Sequence, residues 1–368
     1  MNDPKEKSIS GLTASTSDTL SSGVLKLLKN TVLGTPGKLR YQHTEVEERI
    51  QSLNNIQFIE IKKRSRVLGT AAIVNRSISM NHSSMKALYV RYLSVYVPNR
   101  STKNQNPAVN PKTNRRSKIR NEISNIFTSE LEKPFQETKQ AGLFYAYVEN
   151  DNILSKNLCS SFGFESIRTI LTLLFSRFSP KSNSNVSELD ANDLADFRSN
   201  VQEFYTDHDF VYTDDLEDLG VCFTYKLNGQ SLAGLRAIPI KWKIVEIPGL
   251  KGFVMQKILP KIPFFNRIFN PDKLEFLAFD SLWYKDNHHE YIEKVMEHAC
   301  AKYGINMGMT WGDERSKVTK RLLKTNKLGF LHKINGKVKA MLMIRPVNMD
   351  KEAIPSNNPA YVSAVDMT

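Results

Sequence analysis

Residues Asn152 to Phe164 read Asn-Ile-Leu-Ser-Lys-Asn-Leu-Cys-Ser-Ser-Phe-Gly-Phe, and this stretch indicates the fold of the chain. Asn152 and Ser155 are both suited to cap a helix N-terminus, where free backbone amides can hold an anionic or amide-rich group. Gly163 permits the left-handed turn that ends a helix. A cap, an apolar stripe and a terminal glycine also describe an ordinary structural helix, so the interpretation depends on the segments around it.

The segments around this stretch alternate between strand and helix patterns. Ile119, Ile123, Phe127 and Leu131 recur at fourfold spacing, which predicts an amphipathic helix. The other patterns are those of strands, and the first two of them form a hairpin. In chain order, these strand patterns are Ile56 to Ile61, Val67 to Ser79, Leu88 to Val97, Ala141 to Tyr147 and Glu165 to Phe175.

This order resembles that of the GCN5-related N-acetyltransferase (GNAT) superfamily. The family pattern at the end of the acyl-CoA-binding core is Asn-x-x-Ala/Ser-x-x-Leu-Tyr-x-x-x-Gly-Phe, which is matched here by Asn152, Ser155, Leu158, Gly163 and Phe164. The resemblance covers roughly residues 57–175. It implies an α/β (α+β) fold with a mixed, mostly antiparallel sheet flanked by helices. It also implies that the protein transfers an acyl group from acyl-CoA to an amine.

The resemblance also places the acyl-CoA. The run Leu93-x-Val95-x-x-Pro98 is similar to the end of the family's fourth strand. This strand is expected to splay from the strand Leu143 to Val148 and to seat the thioester beside Leu93 and Val95. Asn152 and Ser155 would then lie at the helix that flanks the cofactor.

The pyrophosphate loop departs from the family. The usual form is Gln/Arg-x-x-Gly-x-Gly/Ala, because small residues let backbone amides close around phosphates. The matching residues lack both glycines and are instead cationic, which favours direct charge pairing with phosphate. The expected contacts are Arg115, Arg116, Ser117, Lys118 and Arg120, within a basic segment from Arg100 to Arg120 that contains no acid.

Cys159 stands where the family has a tyrosine that protonates the departing coenzyme A thiolate. A thiol with an ordinary pKa of about 8.5 is able to donate a proton there. A cysteine on an amphipathic helix is also a common small core residue. Tyr145 is the second candidate acid, with Tyr147, Tyr92 and Tyr96 as further hydroxyls nearby.

The second half of the chain repeats the plan. The Asn228-Gly229 turn between Val221 to Leu227 and Ser231 to Val245 is a strong hairpin signal, and Gly329-Phe330 again follows a helix pattern. The predicted organisation is two tandem acyl-CoA N-acyltransferase-like domains. Its parts are a mobile N-terminus at 1–20, the acyl-CoA-binding domain at 21–178, a linker at 179–188, a degenerate copy at 189–346 and a C-terminal tail at 347–368 that is mobile from Asp350 onward. The second copy has no cationic loop, so the first is expected to bind coenzyme A.

Residues Gly249 to Pro271 form a basic, aromatic-rich insertion in the second copy. Lys257 and Lys261 alternate with apolar residues, and Pro260 and Pro263 interrupt any long helix. Three interpretations remain open: an ordered insertion that packs on its own domain, a lid over a substrate cleft, and a contact with a membrane surface.

Composition limits the other classes. The net charge of +13 suits a polyanionic partner, but no nucleic-acid-binding motif is present, so nucleic acid remains a possibility that no motif supports. Three widely spaced cysteines predict a reducing, cytoplasmic location, and no apolar run approaches the roughly 20 residues that span a bilayer. The histidines and acids show no metal-ligand spacing, so no metal is assigned.

Two functions from different classes follow from the sequence. The first is transfer of an acyl group, expected to be acetyl from acetyl-CoA or another acyl-CoA, to the amine of a small molecule or peptide by direct attack on the thioester. The second is a GNAT-like fold without catalysis, used for binding or scaffolding, which the missing glycines favour. Transfer RNA-dependent aminoacyl transfer is a third possibility, since some tandem proteins of this kind use that donor.

Overall fold

The computed structural model describes residues 11–95, 111–136, 138–335, 338–349, 354 and 357–368; for residues 95 and 111–121, among others, it describes the backbone alone. These residues form one large mixed sheet with helices on both faces. The strands are β1 (Leu12–Ser17), β2 (Leu33–Gly34), β3 (Arg40–His43), β4 (Ile56–Lys63), β5 (Arg66–Met80), β6 (Ser83–Val95), β7 (Gly142–Glu149), β8 (Glu165–Ser176), β9 (Val186–Glu188), β10 (Val221–Leu227), β11 (Gln230–Glu246), β12 (Leu274–Tyr284), β13 (Met307–Asp313) and β14 (Val338–Val347).

The helices fall between the strands. They are α1 (Ser22–Lys29), α2 (Val46–Gln51), α3 (Pro111–Gln136), α4 (Ile153–Ser161), α5 (Leu194–Phe204), α6 (Gly249–Phe253), α7 (Pro263–Asn266), α8 (Tyr291–Tyr303), α9 (Lys317–Thr325), α10 (Phe330–Asn335) and α11 (Ala364–Met367). Between α6 and α7 the chain forms a π-helical turn and a 3₁₀ turn.

The sheet exchanges strands between the two halves of the chain. Its order is β1-β4-β5-β6-β7-β14-β8-β13-β12-β11-β10-β9, so β14 of the second half lies between β7 and β8 of the first. Strand β8 in turn pairs with β13 of the second half. The boundary predicted at 179–188 remains a prediction, but the sheet runs continuously across it.

The same three-stranded unit occurs twice. Strands β5, β6 and β7 form an antiparallel pair followed by a parallel pair, and β11, β12 and β13 do the same. Each unit has a bulge at the same place: Tyr92 is at φ 53° in β6, and Ser281 is at φ 51° in β12. Tyr92 lies three residues after Tyr89, which is paired with β7. Ser281 lies three residues after Ala278, which is paired in the same way with β13. The internal repeat predicted from the sequence is therefore visible in the backbone.

Alternation along the strands divides the core between the two faces of the sheet. Leu88 packs on one face with α3 and α4, whereas its neighbour Tyr89 packs on the opposite face. That opposite face carries a single core shared by both halves, in which Tyr89 and Leu143 join Trp242 and Met309. Burial of these apolar side chains is what holds the two halves together.

Two predictions about the chain ends are wrong. Residues 12–17 form β1, which pairs with β4, although 1–20 was predicted to be mobile. Residues 360–366 and 368 are buried rather than forming a mobile tail, with Val365 completely inaccessible. The physical reason is local: Tyr361, Val362 and Val365 are apolar and fill the space between the two halves.

Candidate functional site

Strands β6 and β7 part in the middle of the sheet. Their parallel pairing runs from Lys86 opposite Gly142 to Tyr89 opposite Tyr145 and then stops. Strand β6 continues along β5, whereas β7 continues along β14. A gap therefore opens between Val90 and Ala146, in agreement with the splay predicted from the sequence.

The bulge in β6 lies at this gap. Thr70 of β5 is opposite Ser94, and Ala72 is opposite Arg91, so Tyr92 and Leu93 together face one residue of β5. A bulge of this type leaves backbone groups outside the regular ladder and re-aims them. Leu93 lines the gap, as predicted; only the backbone of Val95 is described.

A cavity of about 460 Å³ fills the gap and extends beyond it. This volume lies within the usual range for small-molecule sites. Its lining combines side chains from both faces of the sheet: Ala146, Phe127 and Phe162 come from the α3/α4 face, and Trp242, Leu274 and Met309 come from the shared core. The cavity therefore passes through the sheet where the strands part.

Helix α4 borders the cavity. The side-chain oxygen of Asn152 accepts a hydrogen bond from the backbone N–H of Ser155 at 3.0 Å, which caps the helix as the sequence predicted. Asn152, Ser155 and Cys159 all line the cavity. Gly163 ends this segment at φ 80°, in the left-handed region.

Cys159 is buried, and burial raises the pKa of its thiol to about 11. The thiol is therefore protonated at neutral pH. A protonated, buried thiol is a poor nucleophile but retains a proton that it can donate. The raised pKa argues against an acyl-cysteine intermediate, and the role of Cys159 as an acid stays a prediction.

Tyr145 lies outside the cavity lining. Its hydroxyl accepts a hydrogen bond from Arg76 at 2.9 Å and donates one to the Asp366 carboxylate at 3.1 Å. Arg76 and Asp366 form a buried ion pair with 2.5 Å between the nitrogen and the oxygen. Tyr145 therefore belongs to a structural network, and we do not retain it as the acid. Its strand neighbour Tyr147 does line the cavity, and burial raises its pKa well above the ordinary value.

Residues near the end of the chain form another wall of the cavity, which sequence reasoning missed. The guanidinium of Arg91 donates to the backbone oxygen of Thr368 at 2.8 Å, and Arg49 donates to the Thr368 hydroxyl at 2.5 Å. The apolar residues Tyr361, Val362, Ala364 and Val365 within five positions are the signal that would have predicted this burial.

His43 of β3 also lines the cavity, beside these arginines. Burial, together with the charges of Arg49 and Arg91, lowers its pKa to about 3, so the imidazole is neutral at physiological pH. Its Nε2 is buried and has no hydrogen-bond partner within the part of the chain that the structure describes. A neutral, unpartnered imidazole can accept or donate a hydrogen bond to a ligand.

Glu149 ends β7 at the mouth of the gap. One of its carboxylate oxygens accepts a hydrogen bond from the Thr35 hydroxyl at 2.9 Å, and no described ion pair involves it. Its counterpart in the second half is Asp313. Glu149 lies four residues after Tyr145 of the first parallel pair, and Asp313 lies four residues after Met309, the equivalent residue of the second parallel pair. Asp313 accepts a hydrogen bond from the backbone N–H of Ala360 at 2.8 Å.

The second unit is therefore a filled version of the first. Ser281, at the second bulge, shares a hydrogen bond of 2.8 Å with the Tyr361 hydroxyl. Ala360, Tyr361 and Val362 line a remaining void of only about 20 Å³. The chain itself occupies the place that is a cavity in the first half.

The predicted pyrophosphate contacts need a partial correction. The backbone of α3 is helical from Pro111, so Arg115, Arg116, Ser117, Lys118 and Arg120 lie within the helix and not in a loop before it. A backbone cradle at these residues is excluded, because helical amides beyond the first turn are already bonded. Their side chains lie outside the described residues, so charge pairing with phosphate stays a prediction.

Known structures share the fold of this chain. The chain is similar to N-myristoyltransferase of Saccharomyces cerevisiae, solved with bound myristoyl-CoA and inhibitors, at a TM-score of 0.60 and 9% identity over 94% of this chain and 82% of that one. It is also similar to a GCN5-related N-acetyltransferase from Kribbella flavida, at a TM-score of 0.51 and 10% identity over 92% and 72% of the two chains. No protein-family profile matches the chain, and no curated protein matches it in sequence.

The chain thus shares the fold of these two proteins, and the resemblance predicted from the sequence is confirmed at the level of the fold. Among the described residues, none of the helices has the length and apolar content to cross a bilayer. The same residues contain no cluster of three or more histidine, cysteine or acidic side chains arranged to hold a metal.

Proposed function

We propose that this protein is an acyl-CoA-dependent N-acyltransferase. The observation that carries the proposal is the gap between β6 and β7 beyond Tyr89 and Tyr145, which opens directly into the cavity. The pantetheine arm of an acyl-CoA would lie in this gap and place its thioester beside Leu93. Backbone amides freed by the bulge would polarise the thioester carbonyl.

The sequence alone favoured an acetyl group as the one transferred. The cavity favours a longer acyl group, and we propose that the donor carries one. Beyond the gap the cavity is lined by large apolar side chains of the second half, among them Trp242, Leu274 and Met307. An acetyl group would leave this apolar volume unfilled, whereas each additional buried methylene contributes about 0.8 kcal/mol. The yeast structure, which holds myristoyl-CoA in a similar fold, is consistent with this proposal.

The acceptor is proposed to be an amine held by Glu149. In the second unit the equivalent carboxylate, Asp313, already binds a backbone N–H of the segment that fills its cleft. By the same geometry Glu149 would accept a hydrogen bond from the N–H of an acceptor in the first cleft. Its negative charge also favours a cationic amine over a hydroxyl compound.

The reaction is proposed to be direct. The bound ammonium group first loses one proton to solvent. The resulting neutral amine attacks the thioester carbonyl, the new C–N bond forms, and the C–S bond breaks as the nitrogen loses a second proton to solvent or to Glu149. Cys159 supplies a proton to the departing thiolate and regains one from solvent. The raised thiol pKa disfavours a covalent enzyme intermediate.

Turnover with a panel of donors and acceptors tests the proposal. Purified protein is incubated with acetyl-CoA, octanoyl-CoA or myristoyl-CoA and with small amines or peptides that carry a free N-terminus. Release of free thiol and the mass of the acylated amine are both measured. The proposal predicts transfer with a preference for the longer donors; saturable acyl-CoA binding without transfer to any amine would instead indicate the non-catalytic binding protein that the missing loop glycines favour.

A further inference from the structure

The insertion between β11 and β12 exposes apolar side chains to an unusual degree. Of the ten large apolar side chains that are exposed among the described residues, six lie on this insertion or on the helix α10 beside it. Leu250 is 79% exposed and Phe253 is 56% exposed. The other four are Ile258, Ile262, Phe330 and Ile334. We refer to these six residues as the apolar patch.

Cations accompany the apolar patch. Lys257 and Lys261 are exposed on the insertion, each directly before an isoleucine of the patch, and Arg267 and Lys333 are exposed nearby. Residues 249–270 contain no acidic residue. No ion pair found among the described residues involves any of these four cations.

The insertion is anchored at its base and is not a free loop. Phe265 of α7 packs against Phe178 and Phe330, with ring centroids 5.8 and 6.0 Å apart. On its inner side, Met255 lines the cavity, as does Ile334 of α10. The segment thus covers the apolar end of the cavity on one side and presents apolar and basic groups to solvent on the other.

We infer that the apolar patch and its four cations dock this protein onto the surface of an anionic lipid bilayer. Apolar side chains that project between lysines are suited to enter the boundary between headgroups and acyl chains, while the lysines contact lipid phosphates. A protein partner for such a patch would have to present carboxylates beside an apolar surface. An anionic bilayer supplies both an apolar interior for the exposed side chains and a diffuse negative charge for the four cations. The inference concerns peripheral attachment and does not depend on the proposed transferase activity.

Vesicle flotation tests this inference with the full chain. Vesicles of phosphatidylcholine alone are compared with vesicles that contain about 30% phosphatidylglycerol, at low and at high salt. The expected result is flotation with the anionic vesicles that weakens as salt is added. Absence of flotation with the anionic vesicles would overturn the inference and leave a protein partner as the occupant of the patch.

Two pairs of variants separate the apolar and the charged contributions. Leu250→Glu/Phe253→Glu is expected to abolish flotation, whereas Leu227→Glu, at an exposed residue of the β10–β11 hairpin, retains it. Lys257→Ala/Lys261→Ala is expected to weaken partitioning by roughly tenfold or more. Its matched control is Lys320→Ala/Lys324→Ala, an exposed pair at the same spacing on α9. Equal losses in test and control variants would also overturn the inference, since binding would then depend on net charge alone.

Discussion

Tyr92 and Ser281 occupy the same bulge in the two halves of the sheet, at φ 53° and φ 51°. Beside Tyr92 the strands part around an open cavity, whereas beside Ser281 the cleft is filled by Tyr361. The two units therefore have the same backbone arrangement, but the cleft of the first is open and the cleft of the second is filled by the chain itself.

One acyl-CoA is expected to bind per chain. Only the first cleft has room, since residues 360–362 occupy the second and leave a void of about 20 Å³. Isothermal titration calorimetry with a non-hydrolysable acyl-CoA should give a stoichiometry near one. A stoichiometry near two would show that the second cleft opens. A thioether analogue of coenzyme A without an acyl chain is the control that shows how far the affinity depends on the chain.

Glu149→Gln is expected to raise the KM for the amine acceptor by roughly 10-fold or more, with a smaller effect on the KM for acyl-CoA. The reason is the loss of a charge-assisted hydrogen bond, worth about 1.5–3 kcal/mol. Steady-state kinetics with each substrate varied in turn would measure it. Glu188→Gln, a half-exposed carboxylate that pairs with Lys302 far from the cleft, is the control. An unchanged acceptor KM would exclude the proposed role of Glu149.

No acyl-enzyme is expected to accumulate. Burial raises the pKa of Cys159 to about 11 and those of Cys222 and Cys300 to about 12, so the three thiols are protonated at neutral pH. Intact-protein mass spectrometry after incubation with acyl-CoA alone should show the unmodified mass. A covalent adduct that forms and then disappears on addition of an amine would contradict direct transfer.

Cys159→Ala is expected to lower kcat by about 10²-fold if its thiol protonates the departing thiolate. The KM for acyl-CoA should change less, because the residue acts mainly in the transition state. Tyr147→Phe is the informative comparison, since the Tyr147 hydroxyl also lines the cavity. A large fall in kcat for Tyr147→Phe with little effect of Cys159→Ala would transfer the role of the acid to the tyrosine.

Folding stability is expected to decrease as the pH falls below about 6.5, in part because of His43. The folded-state pKa of about 3 lies below the ordinary 6.5, so the unfolded chain binds a proton in this window and the folded chain does not. The contribution of the neutral His43 to the free energy of unfolding is fully present above pH 6.5 and is lost as the pH falls toward 3. Between pH 7.5 and pH 5 the wild type should lose about 2 kcal/mol more than His43→Phe in urea unfolding. His82→Gln, at an exposed histidine, is the matched control; equal losses in His43→Phe and the wild type would exclude this role of His43.

Much of the local structure could be predicted from the sequence, because the signals are short-range. The Asn228-Gly229 turn has both residues at positive φ, at 51° and 79°. The capping of α4 by Asn152 was also predicted. Each depends on residues that are close in sequence.

The remaining features depend on contacts between distant parts of the chain. Strand β14 pairs with β7 nearly 200 residues earlier, and periodicity records which face of a strand is buried but not which strand lies beside it. The burial of Asp366 depends on Arg76, which is even more distant in sequence. Glu149 was missed for a similar reason, since its significance comes from the repeat with Asp313 and from its position at the cavity.

The exchange of β8 and β14 has a consequence for synthesis on the ribosome. Strand β7 emerges long before its neighbour on one side, Val338–Val347, which is translated nearly 200 residues later. Until then β7 presents an open hydrogen-bonding edge with an apolar, aromatic composition, the kind of edge that recruits strands from other chains. A truncated product that ends before β14 would keep this edge permanently, so any premature stop in the second half should yield an aggregating fragment and not a working first half.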